Sequence, residues 1–117
     1  MRLRGLHSAL RPAGEWALSV ADHYRVPVQV TSVFRSWEEQ ERLRARWERG
    51  QSRWPAARPG HSAHQYGFAW DSWVPEPFED WWKAVREHAG FEVLTGDEIH
   101  AQLPNWREYV VGWPRSG

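Results

Sequence analysis

His64 and Asp71, seven positions apart, and His100, three positions beyond Asp97, are side chains of the types that hold a hydrolytic metal ion. Hydrolytic zinc sites commonly use three protein nitrogen or oxygen ligands and leave a fourth position for water, which the metal acidifies toward neutral pH. Two imidazoles and a carboxylate meet that count without a thiolate, and the chain contains no Cys. The spacing adds geometric demands. A straight strand from His64 to Asp71 would span over ~20 Å, so His64 must precede a bend, and Gly67 is the residue that permits one. Asp97 and His100 would face opposite ways on a strand, so Asp97 reaches the same site only if the Thr95-Gly96-Asp97 turn redirects it. It would then be a carboxylate beside the metal water, where a general base belongs. Glu98, two positions before His100, shares its face by strand periodicity and competes for that role.

These residues need elements to carry them. The pattern predicts a helix over 12–24, with Pro12 in its first turn and Trp16, Leu18, Val20 and Ala21 as apolar positions. Alternating β-branched residues predict a strand over 28–34. Ser36 and Glu39 form a capping box for a helix over 37–47, which places Arg35 at a strand-to-helix junction. Residues 50–62, rich in Gly, Ser, Pro and Arg, read as a long loop of the kind that carries function. A second strand over 67–73 puts Trp70 and Ser72 on one face and Asp71 and Trp73 on the other. A helix over 78–89, a strand over 91–94 and a strand over 99–103 follow, and the last stretch fits either a strand or a short helix. Helices and strands that do not alternate regularly indicate an α+β domain, an antiparallel sheet with flanking helices.

Composition narrows the function classes. A chain of 117 residues predicts one domain with one core, spanning 1–117. With 15 basic and 15 acidic side chains the net charge is +0, which gives no electrostatic footprint for nucleic acid or an anionic membrane. No run reaches transmembrane length, and the N-terminal residues form no apolar signal region, so synthesis in the cytoplasm without a signal peptide is expected. The 10 Trp are expected mainly to build a small core, each burying roughly 150–250 Å². Trp54, in the long loop, is the exception expected to touch a substrate. His7, His23 and His88 are expected on the surface without a role, and His61 solvated or supporting a ligand. Arg35 has an alternative as a structural partner of Glu39, and the two His and Asp as a hydrogen-bonded cluster without metal.

Thr31-Ser32-Val33-Phe34-Arg35-Ser36, Glu39-Gln40, the run Pro59-Gly60-His61-Ser62-Ala63-His64-Gln65-Tyr66-Gly67-Phe68-Ala69-Trp70-Asp71 and Asp97-Glu98-Ile99-His100-Ala101-Gln102 occur in that order. Together they resemble the M15 family of zinc peptidases, which comprises D-Ala-D-Ala carboxypeptidases and dipeptidases and the L-alanyl-D-glutamate endopeptidases of phage endolysins. The resemblance implies a hedgehog/DD-peptidase-like fold and one Zn2+ per chain on His64, Asp71 and His100. It also implies Asp97 as general base, Arg35 binding a substrate carboxylate or the developing oxyanion, Ser62 bonding substrate, and Gln40 supporting Arg35 or the groove. Asp97 three before the last ligand, with Gln102 two after it, is more like the endolysin branch than the carboxypeptidases. Phe34 stands where the family usually has Tyr, Trp70 where a small aliphatic is usual, and Ile99 where Pro or Trp is expected. The chain is short for the family, and no separate wall-binding domain is expected.

The resulting expectation is a monomeric zinc peptidase hydrolysing an amide bond in the peptide stem of peptidoglycan, with L-alanyl-D-glutamate endopeptidase activity favoured. If it is phage-derived, it acts on the cell wall. D-alanyl-D-alanine carboxypeptidase or dipeptidase activity is the alternative within that class, and a non-catalytic wall-binding module on the same fold is the alternative outside it.

Overall fold

The computed structural model describes residues 2–112. The first helix, α1 (Arg11–His23), accepts Pro12 in its opening turn, where a missing N–H leaves no intrahelical bond broken. It buries Gly14, Ala17, Leu18 and Ala21 along one stripe. Strand β1 (Gln29–Ser32) follows, and α2 (Trp37–Glu48) opens on the expected capping box. Glu39 N donates to Ser36 Oγ at 3.1 Å while Ser36 N donates to Glu39 Oε1 at 3.4 Å, a cap that contributes about 0.5–2 kcal/mol.

Strand β2 (Ala69–Trp73), helix α3 (Glu79–His88) and strands β3 (Glu92–Leu94) and β4 (Asp97–Gln102) complete the set. The sheet order is β1-β2-β4-β3, antiparallel throughout, so the strands carrying Asp71 and His100 are its two inner members. Trp70, Ala101 and Val93 lie in one register row on one face. That face packs against Ala17, Leu18 and Ala21 of α1 and Trp82 of α3, with Leu3 and Leu6 closing the core. The architecture is the expected α+β arrangement. A smaller apolar cluster of Ala63, Phe68, Ala69 and Trp106 sits beneath a 3-10 turn at Trp106–Tyr109, so the last stretch is the short helical alternative.

Three expectations are corrected. The first strand ends at Ser32 instead of residue 34, because the register breaks between Val30 and Ser32 and the Val33 carbonyl is taken by a side chain, His64, instead of a ladder partner. The second begins at Ala69, because residues 63–66 wind into a 3-10 turn. The tryptophans do not mainly build the core. Trp70, Trp82 and Trp106 are buried, whereas Trp16, Trp37, Trp54 and Trp73 are exposed. The reason is clearest in α2, which buries only Gln40 and therefore carries Trp37 on its outside, against the backbone at Gly60. Trp113 lies outside the described residues.

Candidate metal centre

The bend required before Asp71 is present. Residues 63–66 turn once, and Gly67 ends the turn in the left-handed region at φ 72°. A Cβ there would also meet the Gly5 carbonyl at 2.9 Å, so both the conformation and the space call for glycine. This turn swings His64 back over β2. His100 arrives by another route, since it is the direct cross-strand partner of Asp71 in the β2–β4 ladder. A sequence separation of 29 residues thus collapses to one step across the sheet.

The three side chains converge. His64 Nε2 and His100 Nδ1 each lie 3.1 Å from the same oxygen, Asp71 Oδ1, and one ligand atom from each residue falls within 4.8 Å of the others. The outer nitrogens are already committed. His64 Nδ1–H donates to the Val33 carbonyl at 2.6 Å, and His100 Nε2–H donates to Gln102 Oε1 at 2.8 Å. Gln102 is held in turn by Glu92, whose Oε1 accepts from its amide at 2.7 Å. The inward atoms are therefore two nitrogen lone pairs and a carboxylate oxygen, acceptors that only a shared cation satisfies. Donors ~2.1 Å from one tetrahedral zinc stand about 3.4 Å apart, which the 3.1 Å separations approach, while the widest spacing, within 4.8 Å, would have to close on an ion.

Electrostatics agree with that reading. Burial pushes the Asp71 carboxyl up, but hydrogen bonds and charge from His100 and His64 outweigh it and hold the group well below the usual carboxylate range. Burial lowers His100, yet hydrogen bonds to Asp71 and Gln102 and the charges of Asp71 and Asp97 raise it overall. Without a metal, the cluster therefore attracts a proton into the place a metal would take.

Arg35 completes the support. Its NH2 group donates to Asp71 Oδ2 at 3.1 Å, NH1 to Gln40 Oε1 at 3.4 Å and Nε to Ser32 Oγ at 3.3 Å. The alternative pairing with Glu39 is not what forms, because Glu39 is engaged by the helix cap. Gln40 is 1% exposed and spends its amide on the Ala57 carbonyl at 2.9 Å, so it stands behind Arg35 and ties the long loop to α2.

Asp71 and His100 line a cavity of about 830 Å³. Its lining includes residues of α2 and the loop, Trp54 among them, and of the end of β2, α3 and the β3–β4 turn. Ser62 lines it, with no bond from its hydroxyl among the described residues. Asp97 and Glu98 line it as well, and the two differ. Glu98 accepts from the Gly96 N–H at 3.0 Å, a bond that lowers its pKa and folds its carboxylate back onto its own turn. Asp97 has no such bond among the described residues, and its charge helps to raise the His100 pKa. The register explains how: Val93 pairs with Ala101 but Leu94 pairs with Asp97, so β4 bulges over 98–100 and the strand alternation that would turn Asp97 away is interrupted.

Exposed His7, His23 and His88 stand apart from the cluster, as does exposed His61. Sequence reasoning missed Arg86, which is 2% exposed and lines the same cavity. Burial pulls its guanidinium down to about 10, against the charges of Glu87, Asp71 and Glu98, so it remains a cation at neutral pH. Its position four residues after Trp82 was the available signal, since that spacing puts a charge on the buried face of α3.

A model of the VanY family of D-alanyl-D-alanine carboxypeptidases matches residues 5–97. The chain belongs to the VanY family. The match takes in Arg35, His64, Asp71 and Asp97, and stops short of His100, which the sheet register supplies. VanY-family membership agrees with the M15 resemblance and makes the chain a metallopeptidase whose donor set suits zinc. No curated protein matches the chain by sequence.

Solved structures share the VanY-family fold. The LdcB LD-carboxypeptidase superposes with TM-score 0.70 at 21% identity, over 92% of this chain and 73% of that one. A vancomycin-resistance D,D-pentapeptidase, VanY from the VanB-type cassette, in complex with Zn(II), gives 0.67 at 19%, over 84% and 72%. The Serratia marcescens L-Ala D-Glu endopeptidase ChiX gives 0.66 at 23%, over 92% and 86%. Three different bond specificities on one fold mean that the fold alone does not select the bond.

Proposed function

We propose that this chain is a zinc peptidase that cuts the stem peptide of peptidoglycan between L-alanine and D-glutamate, with His64, Asp71 and His100 as metal ligands. The observation that carries the metal site is the convergence of two imidazole nitrogens on Asp71 Oδ1 while both outer nitrogens are engaged. Support for an internal cut comes from the reach of the cavity, whose lining includes Trp54 of the long loop as well as Gly96 of the β3–β4 turn, a span that suits peptide on both sides of a scissile bond. ChiX, an L-Ala D-Glu endopeptidase, is covered over 86% of its length. Carboxypeptidase activity is the second reading, favoured by the description of the family that matches residues 5–97.

His64, Asp71 and His100 would hold a zinc ion, which would supply Lewis acidity toward a carbonyl and toward water. The chain's own groups do the rest. Asp97 takes the proton of the attacking water and returns it to the departing amine. Arg35 has five N–H donors and three are engaged, by Ser32, Gln40 and Asp71, so two remain for a substrate carboxylate or a developing oxyanion. Ser62 offers its hydroxyl to the substrate backbone, and Trp54 offers a ring face at the loop end of the groove.

Digestion of purified peptidoglycan followed by mass spectrometry tests the reading. New D-glutamate amino termini, abolished by chelator, support endopeptidase action, whereas release of free D-alanine alone replaces it with the carboxypeptidase reading. Zinc binding with no release from any peptidoglycan type leaves a wall-binding module.

A further inference from the structure

A buried arginine without an acidic partner is costly, because its charge loses water and gains no counter-ion. Arg86 comes close to that position: no carboxylate stands at ion-pair distance from it among the described residues, and the charges of Glu87, Asp71 and Glu98 act on it only from further away. Its hydrogen bonds go to backbone carbonyls. Nε donates to Trp82 O at 3.2 Å, within its own helix, and NH1 donates to Ile99 O at 3.4 Å, on β4. The guanidinium carbon sits 5.4 Å from the Trp82 ring centroid, within reach of a cation–π contact.

Ile99 is the middle residue of the bulge. In the described register neither β3 nor β2 supplies it with a partner, since pairing with β3 skips from Ala101 to Asp97 and pairing with β2 ends at His100. A carbonyl at such a place needs an acceptor's partner from elsewhere. Arg86 provides it, reaching from α3 to the one stretch of β4 whose shape determines where Asp97 and His100 lie.

We propose that Arg86 is a positioning residue that pins the 98–100 bulge through the Ile99 carbonyl and so holds Asp97 at working distance from the metal site. The inference rests on the reading of Asp97 as proton acceptor. The hydrogen bonds of Arg86 go to the backbone of Trp82 and Ile99, so it acts through the bulge. Its planar fork makes two divergent bonds, which the single ammonium of lysine does not reproduce.

The test uses Arg86→Met, which keeps an apolar stem, and Arg86→Lys, which keeps the charge. Zinc content, amide hydrogen exchange at residues 98–100 with and without zinc, and kcat and KM on a peptidoglycan fragment are measured for each, with Asp97→Asn in the same series. Expected for both Arg86 variants are one zinc per chain, faster exchange at 98–100, and kcat reduced ~10–100-fold with KM nearly unchanged, the pattern of a misplaced group. Wild-type exchange at 98–100 together with wild-type kcat in a zinc-loaded variant overturns the proposal. Should Arg86→Met not fold, Arg86→Lys decides on the same readouts. Full activity in Asp97→Asn instead overturns the assignment of the base, and the exchange measurement still reports whether Arg86 pins the bulge.

Discussion

His100 faces Asp71 across the β2–β4 ladder with Nδ1 3.1 Å from Asp71 Oδ1, and the opposite edge of the same ring is anchored to Gln102 at 2.8 Å. One edge of the imidazole is thus fixed by its own strand and the other is presented to the neighbouring strand. His64 is likewise held at both edges, by the Val33 carbonyl just past β1 and by Asp71 on β2. Each ligand is oriented before any metal arrives, which lowers the cost of assembling the site.

Removing the Gln102 anchor should weaken the metal without unfolding the protein. Gln102→Met is expected to reduce zinc affinity ~10–100-fold, because His100 loses the partner that fixes its tautomer. Competition with a chromophoric chelator measures this, and an unchanged affinity would show that the Glu92–Gln102–His100 chain carries no orientation.

The two acidic residues at the start of β4 should separate cleanly. Asp97→Asn is expected to lower kcat by ~10²–10⁴ while retaining zinc, the usual range for a lost general base. Glu98→Gln is expected to stay within a few-fold of wild type, since its carboxylate is engaged by the Gly96 N–H. Steady-state kinetics with parallel zinc analysis distinguish the pair, and the reverse ranking would assign the base to Glu98.

Stability of the metal-free protein should depend on pH in a characteristic direction. His100 has a raised pKa, so its contribution is full below the ordinary imidazole value of about 6.5 and is lost as pH rises through the higher folded value. Asp71 has a lowered pKa, so its contribution is present above about 3.9 and is lost only as pH falls through the depressed folded value. Metal-free Tm should therefore decline from pH 6 to pH 8.5. Zinc competes with that proton, so zinc affinity should rise over the same interval. Thermal melts with and without chelator check both slopes, and parallel slopes would contradict a shared proton and metal position.

Two buried tryptophans should respond differently to the same change. Trp82 Nε1 donates to Ser72 Oγ at 2.8 Å, whereas Trp70 Nε1 is buried with no partner among the described residues. Trp82→Phe loses ring area and strands Ser72, for an expected loss of about 2–3 kcal/mol. Trp70→Phe loses similar area but also removes an unsatisfied donor, and about 1 kcal/mol less destabilisation is expected. Urea unfolding of the two variants gives the comparison.

Much of this protein was determined along the chain. The capping box at Ser36 and Glu39, the bend at Gly67 and the face of β2 that carries Asp71 depend on neighbours within a few positions, and those neighbours are written consecutively. The candidate metal donors stand out for the same reason, since few residue types can do that chemistry. What local patterns could not supply was register. Whether Asp97 meets the site depends on how many residues β4 spends between its pairings with Val93 and Leu94, a quantity set by two strands and the helix behind them. Arg86 escaped notice because its partner is a backbone carbonyl on another element, and a carbonyl leaves no mark in the sequence. The tryptophans were misjudged for a related reason: a side chain's type states what it can bury, and only the packing of α2 against the surface decided that Trp37 and its neighbours would not.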